Sequence, residues 1–158
     1  MSMVDTSCAD EEVDGDFLFD VYASSRLNEV KGWGWTHQEM QHFLQMQFQC
    51  QQHSYHMYYP DLNTRIILFQ NEKAGRLLIA NSEERINIVD LTLLPEFQNI
   101  GIGTHILEEV LTEAKACKRS VQLSVARNND RAIRLYERLG FQHVHADEMY
   151  IQMEWRQL

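Results

Sequence analysis

The most distinctive chemical pattern in the chain is the stretch QNIGIGT at residues 98–104, which places Gly101 and Gly103 at the start of a periodic apolar segment. A glycine inside a helix costs about 1 kcal/mol of stability relative to alanine. Two glycines in one turn therefore indicate that the absence of side chains there serves a purpose other than helix stability. The first turn of a helix has N–H groups without partners and carries partial positive charge. We therefore expect this turn to bind an anion such as a pyrophosphate, which glycine allows to approach the backbone closely.

Two common phosphate-binding motifs do not fit this turn. A P-loop has Lys and then Ser or Thr after its last glycine, whereas Thr104 and His105 follow here. A dinucleotide-binding fold has a third glycine, where this chain has Ile106, and a carboxylate at the end of the next strand. Residues 121–125 offer no carboxylate, so both motifs are excluded.

A second motif, N-x-x-A-x-x-L-Y-x-x-L-G-F, runs from Asn129 to Phe141. Together with Q-x-x-G-x-G it resembles the signatures of the GNAT superfamily of N-acetyltransferases, and the resemblance covers residues 86–141. It implies an α/β fold with a central mixed β-sheet, parallel strands splayed at the cofactor site and helices on both faces. It also implies an enzyme that transfers acetyl directly from acetyl-CoA to a primary amine in a ternary complex, without a metal.

The resemblance implies that one strand, one turn and one cap residue hold the cofactor. Backbone groups of Leu91, Thr92 and Leu93 would bind the pantetheine arm, and one amide there would polarise the thioester carbonyl. Such an oxyanion donor typically contributes about 3–4 kcal/mol to the rate. Asn129 would contact the arm as well. The pyrophosphate would lie on the turn formed by Gln98, Asn99, Ile100, Gly101, Ile102, Gly103 and Thr104.

Two residues are candidates for proton transfer. Tyr136 matches the family tyrosine near the coenzyme sulfur, where a protonated phenol would donate to the departing thiolate; the alternative is a core aromatic residue at helical spacing. Many family members place a Glu early in the strand before the turn, but this chain has Asn87 there. Asp90 is the first substitute to test as the base, and the alternative is a structural aspartate bound by backbone or arginine donors.

Apolar periodicity and punctuation residues predict the elements that would position these groups. Residues 1–16 are polar and acidic, and we expect a flexible lead there, followed by a single domain at 17–158. The predicted elements are a helix at 17–28, a helix from the Thr36–Glu39 capping box to about 54, strands at 64–70, 74–82 and 85–94, a helix after the glycines, a strand at 120–126, a short helix closed by Gly140, and a strand pair within 141–155.

Composition limits the class of protein and its partners. The chain has 158 residues and 44% apolar content, which suits one globular domain, and no apolar run is long enough to span a membrane. A net charge of −9 disfavours nucleic acid as a partner. Three widely spaced cysteines form neither a disulfide framework nor a metal motif, so we expect a cytoplasmic protein.

The acceptor amine stays open at this point, as a small molecule, a peptide or a protein. The aromatic residues Trp33, Trp35, Tyr55, Tyr58 and Tyr59 either wall an acceptor pocket or pack within the fold. A homodimer is compatible with the resemblance. Because Asn87 cannot act as a base, a non-catalytic module that binds acyl-CoA is the alternative function.

Overall fold

The computed structural model describes residues 3–157 and contains seven strands and four α-helices within that range. In chain order these are β1 (Val4–Cys8), α1 (Glu11–Val30), α2 (His37–Tyr58), β2 (Asn63–Phe69), β3 (Glu72–Asn81), β4 (Arg85–Leu93), α3 (Ile102–Cys117), β5 (Ser120–Ala126), α4 (Asp130–Arg138), β6 (Gln142–Ala146) and β7 (Tyr150–Trp155). The strands form one sheet in the order β1-β2-β3-β4-β5-β7-β6. Only β4 and β5 pair in parallel among these described strands, so the predicted α/β class with a mixed central sheet is confirmed.

Helices cover both faces of this sheet, as the alternation of side chains along β2 shows. Ile66 packs with the buried residues of α1 and α2, including Leu18 and Phe48. Its neighbour Ile67 points to the opposite face and belongs to the larger core built on α3. The α1–α2 layer and the α3–α4 layer therefore sandwich the sheet.

Local sequence signals determine where several helices begin and end. The capping box at the start of α2 is present, with the Thr36 hydroxyl accepting from Glu39 N–H at 3.1 Å and the Glu39 carboxylate accepting from Thr36 N–H at 3.2 Å. At the end of α4, Gly140 has φ 102° and Phe141 N–H donates to the Tyr136 carbonyl at 3.0 Å. This is the glycine-terminated helix end that the sequence predicts.

Residues 4–16, where the sequence suggests a flexible lead, contain β1 and the start of α1. β1 pairs with β2 from Val4 opposite Phe69 to Cys8 opposite Arg65. α1 begins at Glu11 because the Asp10 side chain accepts from Glu12 N–H at 3.0 Å and caps the helix. Residues 1 and 2 of the expected lead lie outside the described residues.

The hairpin between β2 and β3 turns earlier than the sequence suggests. The stretch NEKAG at residues 71–75 predicts the turn between these two strands, but Gln70 and Asn71 form it, with φ of 51° and 67°. Two left-handed residues give the turn a twist that matches the flanking strands. β3 therefore starts at Glu72, and residues 73–75 belong to the strand.

Candidate active site

The candidate site starts where β4 and β5 separate. Their parallel pairing runs from Arg85 opposite Ser120 to Ile88 opposite Leu123, and the described residues show no pair beyond it. A β-bulge at Val89 coincides with this point, since Ile88 and Asp90 lie opposite consecutive residues of β3. Bulges bend a strand and occur often beside functional sites. The backbone of residues 89–93 therefore lacks a strand neighbour on its β5 side.

The opposite edge of this segment is held tightly by β3. Gly75 lies opposite Leu93, and a Cβ added to Gly75 would stand 2.2 Å from the Thr92 carbonyl oxygen. No side chain fits such an approach, so glycine is required for the contact. As a result, the predicted pantetheine-binding residues Leu91, Thr92 and Leu93 have one fixed edge and one open edge.

The glycine turn lies directly after this open segment. Asn99 and Gly101 both have left-handed backbone conformations, with φ of 65° and 91°, and such turns create concave groups of N–H donors. The first backbone bond of α3 runs from His105 N–H to the Gly101 carbonyl at 3.0 Å. Consequently the N–H groups of Ile102, Gly103 and Thr104 precede the first bond and have no partner within the helix.

The start of α3 differs from the starts of the other α-helices in residues 3–157. α1, α2 and α4 are capped by the side chains of Asp10, Thr36 and Asn129. Gly101 is the N-cap residue of α3 and provides no side-chain cap, and the first turn of the helix contains no acidic residue. A Cβ added to Gly103 would meet no described atom within 4 Å. This end of the helix is therefore open to an anion, which the charge of the helix dipole favours.

The other residues of the turn shape it. The Gln98 side-chain amide donates to the Leu93 carbonyl at 2.9 Å, which ties the turn to the end of β4. Its backbone N–H donates to the Pro95 carbonyl at 3.2 Å. Ile102 is buried in the main core and Ile100 is exposed. Gln98 and Ile102 thus position the loop, and Ile102 can offer a ligand only its backbone.

Asp90 lies at the centre of a polar network beside the open segment. Its carboxylate accepts from Arg76 Nε at 2.5 Å and from the Thr92 hydroxyl at 3.1 Å to each oxygen. Arg76, on β3, is 4% exposed and also donates to Gln51 Oε1 at 2.9 Å. Asp90 thus supplies the counter-charge of a buried guanidinium, which is the role of a structural aspartate. The geometry thus favours the structural alternative for Asp90 over the base.

Tyr136 is half-buried and packs against Phe141, with ring centroids 5.8 Å apart. Burial raises the pKa of the Tyr136 phenol above its usual value of 10.0, and the negative charge of Asp90 raises it further. The phenol is therefore protonated at neutral pH and close enough to Asp90 to interact with it. This environment suits a proton donor, and it also satisfies the alternative of a packed core aromatic.

A cavity of about 490 Å³ opens between the α1–α2 layer and the separated strands. Its walls are mostly polar, and they include Asn87, Asp90, Tyr55, Tyr59 and Tyr150. Burial, followed by the charge of Asp90, raises the pKa of the Tyr55 phenol. The cavity reaches the open backbone of β4, so a molecule bound there would lie beside the segment expected to hold the cofactor.

The remaining predicted residues divide between this cavity and ordinary structural positions. Trp33 and Trp35 do not line the cavity; they pack on each other and on Phe43, with centroids 5.0–5.5 Å apart. Tyr58 is 82% exposed. Asn129 caps α4 by accepting from Ala132 N–H at 3.3 Å. The tryptophans thus contact Phe43 of α2 and remain partly exposed, while Tyr55 and Tyr59 fit the expected pocket wall.

Sequence reasoning missed Arg76 and Gln51. A signal existed for Arg76, because this lone charged residue lies within the apolar run AGRLLIA of β3. Such a residue must find a partner, and Asp90 interrupts the apolar run of the next strand. Gln51 carried no signal, since α2 contains many glutamines.

Two features are absent from residues 3–157. No group of three or more His, Cys, Asp or Glu side chains in that range could hold a metal ion. Within the same range, no helix combines the length and the apolar character of a membrane span.

Comparisons with known proteins show relatives of similar sequence or fold. Over 67 residues the chain is 33% identical to the protein of Bacillus subtilis (strain 168) described as uncharacterized N-acetyltransferase CgeE, covering 42% of this chain and 26% of that protein. PaiA N-acetyltransferase from Thermoplasma acidophilum, in complex with coenzyme A, has a similar fold, with a TM-score of 0.72 at 18% identity over 99% of this chain and 100% of that chain. A GNAT family acetyltransferase from Elizabethkingia anophelis with acetyl-CoA bound has a TM-score of 0.64 at 14% identity over 99% and 100% of the two chains.

At such identities the structural likeness shows the fold alone, and the family is shown by a match to a family model. Residues 20–141 match the model of the acetyltransferase (GNAT) family, which is most of the chain. The glycine turn at 98–104 and the motif at 129–141 both lie inside that match. The chain therefore belongs to the GNAT acetyltransferase family, as its two motifs indicate.

Proposed function

We propose that this protein transfers an acetyl group from acetyl-CoA to a primary amine by direct attack within a ternary complex. The observation that carries the proposal is the junction of two open backbone surfaces: the unpaired segment 89–93 of β4 and the uncapped start of α3. One can bind an extended arm by backbone hydrogen bonds, and the other can bind its pyrophosphate. The cavity beside them provides room for the acceptor.

The proposed contacts follow from the open groups of the site. Leu91, Thr92 and Leu93 would pair with the pantetheine amides, and an N–H of this segment would polarise the thioester carbonyl. The pyrophosphate would accept hydrogen bonds from the N–H groups at the start of α3, within the turn 98–104. Asn129, at the start of α4, would contact the arm.

In the proposed reaction, the amine nitrogen attacks the thioester carbon, a C–N bond forms and the C–S bond breaks. Tyr136 donates its proton to the departing sulfur to give the CoA thiol, and the proton that the nitrogen loses after attack returns through water to the Tyr136 phenolate. A lysine-like ammonium group must first deprotonate, which costs about 4 kcal/mol at neutral pH. That proton leaves through Asp90 or through water in the cavity, and an Asp90→Asn variant with an unchanged pH–rate profile would remove Asp90 from this role.

The test combines turnover with binding. We expect acetyl transfer to at least one member of a panel of free-amino-terminus peptides, lysine peptides, polyamines, amino acids and aminoglycosides, with initial rates that fit a ternary-complex pattern. An acetylated enzyme trapped without an amine would contradict direct transfer. Calorimetry with acetyl-CoA, run in parallel, separates failure to bind from failure to react.

A non-catalytic acyl-CoA-binding module is the second candidate. It is favoured by two observations, namely Asn87 on the cavity wall in place of the usual Glu and the engagement of Asp90 by Arg76. Tight binding of acetyl-CoA without transfer to any panel amine would support this module against the enzyme. A cytoplasmic location is part of either proposal, supported by three free, exposed cysteines, which persist in a reducing compartment.

A further inference from the structure

Arg76 is a buried cation in a strand that is otherwise apolar. Its side chain is 4% exposed, and the flanking residues from Ala74 to Ala80 are buried. A buried charge needs partners, and Arg76 has three: Asp90, Gln51 and the ring of Tyr22, whose centroid lies 5.8 Å from its Cζ atom. Apolar residues of similar volume often stabilise a core as well as a buried ion pair, so stability alone does not account for this arrangement.

The three partners of Arg76 lie on three different elements. Asp90 is on β4, Gln51 on α2 and Tyr22 on α1. Arg76 uses Nε for the carboxylate and Nη2 for the amide, so one rigid guanidinium plane fixes both at once. The guanidinium thus ties the helical wall of the cavity to the strand beside the candidate thioester site.

The position of Asp90 on β4 gives this link its importance. Asp90 follows the bulge at Val89 and begins the stretch that has lost its β5 neighbour. The Thr92 hydroxyl also bonds to Asp90, so the network extends along the stretch. Within the described part of the chain, β5 pairs with β4 at residues 85–88 but not beyond. From Asp90 onward, β4 is instead held by side-chain contacts that Arg76 of β3 makes with Asp90 and with Gln51 of α2.

We propose that Arg76 is a positioning residue for acyl transfer. Through Gln51 and Asp90 it holds the α2 side of the cavity at a fixed distance from the open backbone of residues 89–93. An amine bound in the cavity would then meet the thioester in a reactive geometry. This inference rests on the proposed function, and it goes further by assigning a role to two residues outside the family motifs, Arg76 and Gln51. Small errors in the placement of reacting groups lower rates by orders of magnitude.

The decisive variant is Arg76→Lys. Lysine keeps the positive charge beside Asp90, so the half-buried carboxylate is not left unpaired. Its single ammonium, however, lacks the fork that reaches Gln51 as well. We expect kcat with the best panel amine to fall at least tenfold, while the Kd of CoA stays within twofold of wild type. Gln51→Leu should change kcat in the same direction. A purely structural role would instead lower the melting temperature and leave kcat intact well below it.

Arg65→Lys is the matched control. Arg65 also lies in a strand and uses its fork, donating to the Thr6 hydroxyl at 2.8 Å and to the Thr6 carbonyl at 3.2 Å. It lies on β2 and does not line the candidate acceptor cavity. Arg65→Lys should leave kcat unchanged. Wild-type kcat in both Arg76→Lys and Gln51→Leu would overturn the inference.

Hydrogen exchange separates this inference from the proposed function. With CoA bound, Arg76→Lys should speed amide exchange in residues 89–93 at least tenfold and leave the paired stretch 85–88 unchanged. If wild type acetylates no panel amine, the proposed function fails, and exchange alone then decides whether Arg76 holds this segment. Equal protection of residues 89–93 in wild type and Arg76→Lys would refute this role of Arg76.

Discussion

Replacing Gly103 with leucine should improve the stability of the fold while weakening its grip on coenzyme A. Gly103 lies in the first turn of α3, where an added Cβ meets no described atom within 4 Å. The Cβ of a leucine therefore meets no clash, and the helix propensity of leucine exceeds that of glycine by about 0.8 kcal/mol. For a chain of this size the melting temperature should rise by about 2–3 °C. Gly101 is unsuitable for this experiment because its φ of 91° strains any other residue.

The effect on ligand binding should have the opposite sign. The leucine side chain would fill the space in front of the free N–H groups of residues 102–104, where we place the pyrophosphate. Losing two charge-assisted hydrogen bonds at about 1.5–3 kcal/mol each gives about 3–6 kcal/mol. The Kd of CoA should therefore rise by about two to four orders of magnitude. Gly103→Ala should have a smaller effect, because a methyl group reaches less far.

Gly15→Leu provides the control for this experiment. Gly15 also lies in a helix, α1, and its added Cβ also meets no described atom within 4 Å, but it is remote in sequence from both family motifs. This variant should gain similar stability and bind CoA like wild type. Calorimetry and thermal unfolding of the three proteins give both quantities. A Gly103→Leu protein with a wild-type Kd would show that the pyrophosphate does not lie on this turn.

Three further predictions concern single side chains. Gly75→Ala should destabilise the fold by about 1–3 kcal/mol, because its Cβ would stand 2.2 Å from the Thr92 carbonyl; an unchanged denaturation midpoint would contradict this packing. Tyr136→Phe should lower kcat about 10²- to 10⁴-fold without changing the Kd of acetyl-CoA. Because the pKa of Tyr136 is raised, the wild-type enzyme should lose this proton donor only above pH 10. An unaffected kcat would make Tyr136 a packing residue. Asp14→Asn should destabilise the fold at pH 7, because a backbone hydrogen bond from Asp10 and the Lys73 ammonium lower the pKa of Asp14 below 3.8. This stabilisation is present above pH 3.8 and is lost as the pH falls through the lower pKa of the folded state. The unfolding curves of variant and wild type should therefore converge in acid, and a difference that persists there would refute the assignment.

The parts of the fold that the sequence predicts depend on local signals. The capping box at Thr36 and the glycine at Gly140 each act within a few residues, so they can be recognised without tertiary information. The apolar stripe from Ile106 to Ala114 likewise predicts α3, since one helical face must be buried. The family motifs also depend on short spacing, which is why the glycine turn was identified from residues alone.

The parts that the sequence does not predict depend on partners distant in the chain. β1 is a short polar edge strand that exists through its pairing with β2, about 60 residues later, and only Val4 is buried in it. The ion pair between Arg76 and Asp90 joins neighbouring strands across a bulge, and no periodicity reveals that register. The sequence marks Arg76 and Asp90 as charges within apolar strands, but it does not fix the strand register that brings the two together.

The short contact between β4 and β5 has a mechanical consequence. Four paired positions join an antiparallel half-sheet, β1 to β4, to a second half formed by β5, β7 and β6. Four paired positions resist sliding between the halves less than a full-length ladder does. The two halves are also joined by α3, which packs on β1 and β4 of the first half and on β5 of the second. This helix begins at the glycine turn. A ligand bound at the turn would therefore contact the start of this helix, and its binding should reduce motion between the two halves of the sheet.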